Sequence, residues 1–195
     1  GADCLESYNW VSILFNMYIN YINDNLLWNY KIISKNEYRG FLSSVMLEVS
    51  GKNTFTYLST EAGVHRLIRV SPFDKQGRRH TSFASVVCSD KEIVDDVKIN
   101  WTEQIRSYVL DPYTLVTDHR SGYKTENTQD VLDGNINGEF IQLHNLEEIT
   151  KGISDLSHRF GVVMPYTTAQ NTSSGYHQKQ SFLENPLVIA RNGGT

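Results

Sequence analysis

Apolar residues recur every three to four positions between Leu5 and Ile22. Trp10, Ile13, Leu14, Met17, Tyr18, Tyr21 and Ile22 form one stripe, and Glu6 falls in the first turn. This spacing predicts an amphipathic helix with its tip near residues 1–6. After Asn23-Asp24-Asn25 the period shortens to two. Trp28, Tyr30 and Ile32 alternate with polar positions, then Val45, Leu47 and Val49, then Phe55 and Tyr57, and later Phe83, Ser85 and Val87. Half-buried strands are predicted there, broken at Gly40, at Gly51-Lys52-Asn53 and at Gly77. The simplest arrangement of these elements is an α+β fold, one helix packed on a small, mainly antiparallel sheet.

Beyond residue 90 the pattern loosens. Residues 90–100 read as an acidic connector, and Trp101–Leu110 as a helical or extended docking segment. Pro112, Gly122 and Asp133-Gly134 mark turns. Leu146, Ile149, Ile153 and Leu156 give Leu143–Phe160 a helical reading, Thr167–Gln180 reads as a loop, and Phe182–Ala190 as a terminal strand.

A length of 195 residues fits one core with an appendage. Cys4 and Cys88 are too few for a disulfide framework, and no apolar run approaches the roughly 18 residues of a membrane span. A soluble protein of a reducing compartment is expected, with no membrane partner. The chain opens Gly1-Ala2-Asp3 without Met or a basic leader, which reads as a mature or trimmed product. A net charge of −4 argues against a general polyanion binder. Yet Arg66, Arg69, Lys75, Arg78 and Arg79 crowd into fourteen positions, edged by His65 and His80. Pro72 stiffens this stretch and holds Ser71 extended, so the turn presents a hydroxyl and the Phe73 ring between arginines. Arginines for phosphate, with a hydroxyl, an aromatic and an imidazole for bases, are how single-stranded RNA is commonly read. A surface-exposed turn is therefore expected over Arg66–Thr81. Against it stands the plainer possibility of a turn with solvated arginines. His65, His80 and His119 with Asp118 lack ligand spacing, and neither a metal nor a cofactor is expected.

Several motifs in a fixed order resemble the codon-recognition domain of class I peptide chain release factors, of the type that reads UGA and UAA. They are Gly63-Val64-His65-Arg66, Ser71-Pro72-Phe73, Gly77-Arg78-Arg79-His80-Thr81-Ser82, the helix entry Glu6-Ser7-Tyr8-Asn9-Trp10, and, further on, Gln104–Leu110, Asp118-His119-Arg120 and Asn127–Gly134. The resemblance covers residues 1–141 and leaves 142–195 as an unassigned C-terminal extension expected to contact a protein partner. It implies that Ser71 and His80 meet codon bases, that Thr81 reads the third position, and that Glu6, Arg66, Arg69, Pro72, Phe73, Arg78 and Arg79 complete the RNA-binding surface. At the helix tip, Asp3, Cys4 and Leu5 replace the family's Gly-Gly-Thr, placing a carboxylate and bulk where backbone approaches the first uridine. Weakened stop-codon specificity is expected from that change. The family's Gly-Gly-Gln hydrolytic motif is absent, and the chain passes directly from Asn100 to Trp101 where that domain belongs. The leading expectation is a non-enzymatic protein that binds the ribosome through rRNA, mRNA or ribosomal proteins, as a component of an organellar, mitochondrial ribosome. The alternatives are a termination factor, cytoplasmic or organellar, whose hydrolytic domain is missing from this sequence, and an organellar mRNA-binding protein.

Overall fold

A computed structural model describes residues 2–89, 99–136, 140 and 158–169, the last of these as backbone. Helix α1 (Ala2–Asp24) is followed by strands β1 (Asn29–Tyr38) and β2 (Phe41–Ser50), a short helix α2 (Thr54–Ser59), β3 (Gly63–Val70) and β4 (Arg79–Ser89). Then come β5 (Gln104–Val109), β6 (Leu115–Asp118), β7 (Lys124–Thr125), a short helix α3 (Thr128–Leu132) and β8 (His158–Ala169). The eight strands make one sheet in the order β1-β2-β8-β4-β3-β5-β6-β7. Every pairing is antiparallel except β3 with β5. The α+β architecture read from the sequence is therefore the observed one, with a larger sheet.

Helix α1 lies across β2, β8 and β4. Most of its predicted stripe is core: Trp10, Leu14, Met17, Tyr18, Tyr21 and Ile22 are buried, each stabilising the fold by roughly 1.5–3 kcal/mol. Ile13 is half-buried, and Val11, outside the predicted stripe, is buried with them. Strand β2 answers with Val45, Leu47 and Val49 on the facing side. Strand β1 differs from expectation. As the sheet's outer strand it meets α1 near its end, where Tyr38 contacts Tyr8, while Tyr30 and Ile32 stay exposed instead of half-buried. Phe55 and Tyr57 also depart, forming part of α2 and not a strand. Asn53 adopts left-handed geometry (φ 62°), its carbonyl accepts the Tyr57 N–H, and the chain turns into a helix that buries Thr54, Thr56 and Leu58.

Two segments from outside the first hundred residues complete the sheet. Strand β5 runs parallel to β3, and Gly63 makes the close contact possible: φ is +142° there, and a Cβ would come within 2.5 Å of Ile105. Strand β8 inserts between β2 and β4. It pairs with β2 only up to Val162 and with β4 along its length, with a register shift opposite Ala84. Pro165 sits at that irregularity, past the last β2 pair, where the missing N–H breaks no ladder bond to β2. The predicted helix over Leu143–Phe160 is corrected at its end, because residues 158–160 are strand, and Thr167–Ala169 are strand instead of loop. Residues 141–157 and 170–195, including the strand read over Phe182–Ala190, lie outside the described residues, as do 90–98 of the acidic connector.

Beneath α1 the sheet buries a charge network. Arg106 of β5 is fully buried and donates to both Glu61 oxygens at 2.7 Å and to Asp118 Oδ2 at 3.1 Å, while its guanidinium lies 4.4 Å from the Phe140 ring centroid. Burial opposes ionisation of Glu61, but the Arg106 guanidinium outweighs it and holds the carboxyl below its usual range. Arg120 pairs with Asp118 and also donates to the Thr60 carbonyl. His65, buried beside the network, meets Tyr18 Oη at 3.3 Å and Tyr108 Oη at 3.2 Å. Burial first, and Arg106 second, push its pKa down to about 4. Among the described residues no helix is long and apolar enough to cross a membrane.

Arg106→Ala should lower unfolding free energy by about 3–5 kcal/mol, since it leaves Glu61 buried without its cation and Asp118 with Arg120 alone. Urea unfolding measures it, and a loss under 1 kcal/mol would contradict the account. The folded chain also refuses a proton at His65 that the unfolded chain accepts near pH 6.5. Stability is thus complete above pH 6.5 and falls as pH drops toward 4, by about 3 kcal/mol in total. His65→Gln should flatten that slope, and an unchanged slope would remove His65 as its cause.

Candidate RNA-facing site

The end of β3, the loop to β4 and the tip of α1 converge at one corner of the sheet. Arg69 points toward α1, where its Nε donates to Glu6 Oε1 at 2.6 Å, and its second nitrogen donates to Glu6 Oε2 at 3.1 Å and Asn9 Oδ1 at 2.6 Å. Ser71 Oγ donates to Glu6 Oε2 at 2.8 Å and accepts the Phe73 N–H at 3.2 Å. One carboxylate therefore joins the helix tip, the strand end and the tripeptide. Glu6 is buried at 1% exposure, so it needs both partners. The fork of Arg69 supplies the bidentate geometry that a lysine could not.

The loop has its own staple. The Ser71 N–H donates to the Arg78 carbonyl, and the Gly77 N–H to the Asp74 carbonyl, with Gly77 at φ 62°. The Asp74 carboxylate accepts the Gln76 N–H at 2.9 Å and Arg78 Nε at 2.7 Å, and lies 2.7 Å from His80 Nε2. The hydrogen bonds from Arg78, then His80, then the Gln76 N–H hold its pKa well below the carboxylate range. Phe73 meets the Phe41 ring edge-on at 5.3 Å.

The expected exposure of the whole turn is corrected here. Pro72, Lys75, Gln76, Gly77 and Arg78 are exposed, but Ser71, His80 and Thr81 are buried at 2%, 1% and 2%, and Arg66, Arg69 and Arg79 are half-buried. Sequence reasoning missed that the arginines have carboxylate partners: Glu6 for Arg69, Asp74 for Arg78, and Asp111 for Arg79 at 3.3 Å. The structure brings together Glu6, Arg69, Ser71, Phe73, Arg78 and His80. Strand alternation puts Thr81 on the opposite face, beside the Arg66 side of β3. There the Thr81 hydroxyl and the Nε atoms of Arg66 and Arg79 are buried without a hydrogen-bond partner among the described residues. His65, His80 and His119 lie in separate settings, His119 contacting Ser107 Oγ at 2.7 Å. Among the described residues no cluster could hold a metal. The side chain of Asp3 lies outside the described residues. Asn9, a partner that sequence reasoning did not single out, could have been found from its helical spacing to Glu6.

Residues 1–86, the helix laid over the sheet with its tip tied to the Ser-Pro-Phe turn, match the PCRF domain family. The chain is similar to peptide chain release factor 2 of several bacteria. It is 30% identical to peptide chain release factor 2 of Kosmotoga olearia across 73% of this chain and 61% of that protein. It is 29% identical to the Borreliella burgdorferi protein of the same name across 73% and 63% of the two chains. Over 101 residues it reaches 46% identity with that of Nautilia profundicola, covering 51% of this chain and 27% of the relative. RF2 of Thermus thermophilus shares the fold, with a TM-score of 0.56 at 24% identity over 67% of this chain and 61% of that one. The chain thus spans about six tenths of the length of such relatives.

Glu6→Ala should cost about 2–3 kcal/mol, because it removes three hydrogen bonds and leaves Arg69 half-buried without its carboxylate. Trypsin should cut faster after Lys75 and Arg78 in the variant. Unchanged stability together with unchanged cleavage would show that the corner does not depend on Glu6.

Proposed function

We propose that this chain acts in translation termination as the codon-recognition part of a class I release factor, reading UGA and UAA on the ribosome, and that its 195 residues carry no peptidyl-tRNA hydrolysis. The observation that carries this reading is the Glu6–Arg69–Ser71 network. It keeps the helix tip and the tripeptide in fixed register, as two surfaces reading the same three bases must be. Asp3, Cys4 and Leu5 stand where the resemblance implies Gly-Gly-Thr, yet Glu6 and Ser71 are bonded to one another at 2.8 Å. This supports retained codon reading over the weakened specificity expected from the tip.

In the present arrangement the reading groups are largely occupied by the protein itself. RNA has to exchange these bonds for its own, so only a codon that replaces them stabilises the bound form. Two observations support a separate hydrolytic step. The sequence contains no Gly-Gly-Gln. In the alignment to the Borreliella burgdorferi protein, 73% of this 195-residue chain is set against 226 aligned positions. A domain-sized stretch of that relative therefore has no counterpart in these residues. A second reading, a resident protein of an organellar ribosome, is favoured by β8, through which the extension becomes part of the sheet.

The test is binding to ribosomes programmed with UGA, UAA, UAG or a sense codon, together with release of a labelled peptide. Tighter binding to UGA and UAA, at least fivefold weakened by Ser71→Ala, and release no faster than without factor, is expected. Equal binding to all four codons would favour the resident protein, and peptide release by this chain would overturn the non-hydrolytic reading.

A further inference from the structure

The turn between β1 and β2 is built against local preference. Tyr38 pairs with Phe41, leaving a two-residue loop in which Arg39 has φ 50° and Gly40 φ 83°. Both residues of such a turn need positive φ, which favours Asn, Asp or Gly at the first position. An arginine there is strained. It is also exposed, and it makes no ion pair among the described residues, since nearby Glu37 is taken by Lys35 at 2.8 Å. Its guanidinium instead lies over the Tyr38 ring, 5.3 Å from the centroid, and that ring is 47% exposed.

This hairpin adjoins the codon-reading corner on both sides. Tyr38 meets Tyr8 of α1 at 5.7 Å, two residues beyond Glu6. Phe41 meets Phe73, two residues beyond Ser71. The Leu42 N–H donates to Ser12 Oγ at 2.8 Å and fixes the base of the hairpin to the helix. A strained, uncompensated cation stacked on an exposed aromatic ring is thus held rigidly beside the turn.

We infer that Tyr38 and Arg39 form a further RNA-binding element that takes an unpaired messenger nucleotide flanking the codon, the base against the Tyr38 ring and its phosphate on Arg39. The inference rests on the codon-reading proposal for its location. Its chemistry is that of single-strand binding, in which aromatic faces take bases without regard to sequence and arginines take phosphates. The strain at Arg39 then has a cause, because moving the cation elsewhere would part it from both the ring and the corner.

The experiment uses the full chain and ribosomes carrying a messenger with 4-thiouridine next to the codon. Arg39→Asn suits the turn better than arginine does, so the variant should melt no lower than the wild type. Its ribosome binding should be about fivefold weaker, with the salt dependence reduced by about one phosphate contact. Tyr38→Leu should weaken binding about tenfold, and Tyr38→Phe should restore it. Both losses should be equal on UGA and sense codons, whereas Ser71→Ala changes their ratio. The messenger should crosslink to the peptide holding Tyr38 and Arg39. Wild-type binding, salt slope and crosslinks in Arg39→Asn would overturn this element alone. So would crosslinks from the hairpin to rRNA or protein in place of messenger. Indifference to codon identity, with the hairpin losses intact, would overturn only the codon-reading proposal. No ribosome binding by the wild-type chain would overturn both.

Discussion

The bidentate pair between Arg106 and Glu61 is the constraint on which the remaining structure depends. Glu61 stands at the entry to β3, and Arg106 arrives from a segment forty-five residues further on. Neither could be buried alone, since an isolated charge beneath α1 would cost several kcal/mol. Together with Asp118 they fix β5 against β3 in parallel register, and β3 then carries Arg69 and Ser71 to the tip of α1. The Glu6–Arg69–Ser71 corner inherits its geometry from a network placed well inside the fold.

Two kinds of polar assembly with different consequences follow. The Arg106 network is sealed, with both side-chain partners fully buried, and serves to join distant segments of the chain. The Glu6–Arg69–Ser71 corner is closed on itself but reaches the surface through Pro72 and Phe73. Its bonds can be exchanged for bonds to a ligand, because each group there also has a function that RNA can satisfy. On the other face, the Thr81 hydroxyl and the Arg66 and Arg79 Nε atoms have no hydrogen-bond partner among the described residues.

Much of this was legible in the sequence. The three-to-four spacing of Trp10, Leu14, Met17, Tyr18 and Tyr21 specified α1, since one face of a helix must meet the sheet. The alternation of Val45, Leu47 and Val49 specified β2 for the same reason. Where the signal failed, tertiary context had overruled local pattern. Phe55 and Tyr57 alternate as a strand would, but the left-handed Asn53 turns them into a helix. Tyr30 and Ile32 alternate too, yet the helix does not extend over that part of the outer strand. The pairing of β8 was invisible, because Pro165 argues against an inner strand until its position past the last β2–β8 pair is known. At the site, residue types were readable and burial was not. Ser71 and His80 look exposed in a run of arginines only while Glu6 and Asp74, the carboxylates that close over them, are counted separately.

The central claim is that residues 1–136 sit at the codon with the corner opened toward it. A structure of the chain bound to a UGA-programmed ribosome tests this most directly. The account predicts the Ser71–Phe73 turn and His80 within contact of the codon, with the Ser71 to Glu6 bond exchanged for one to RNA. A chain bound at another surface of the ribosome, with that bond intact and the corner facing away from the messenger, would contradict it.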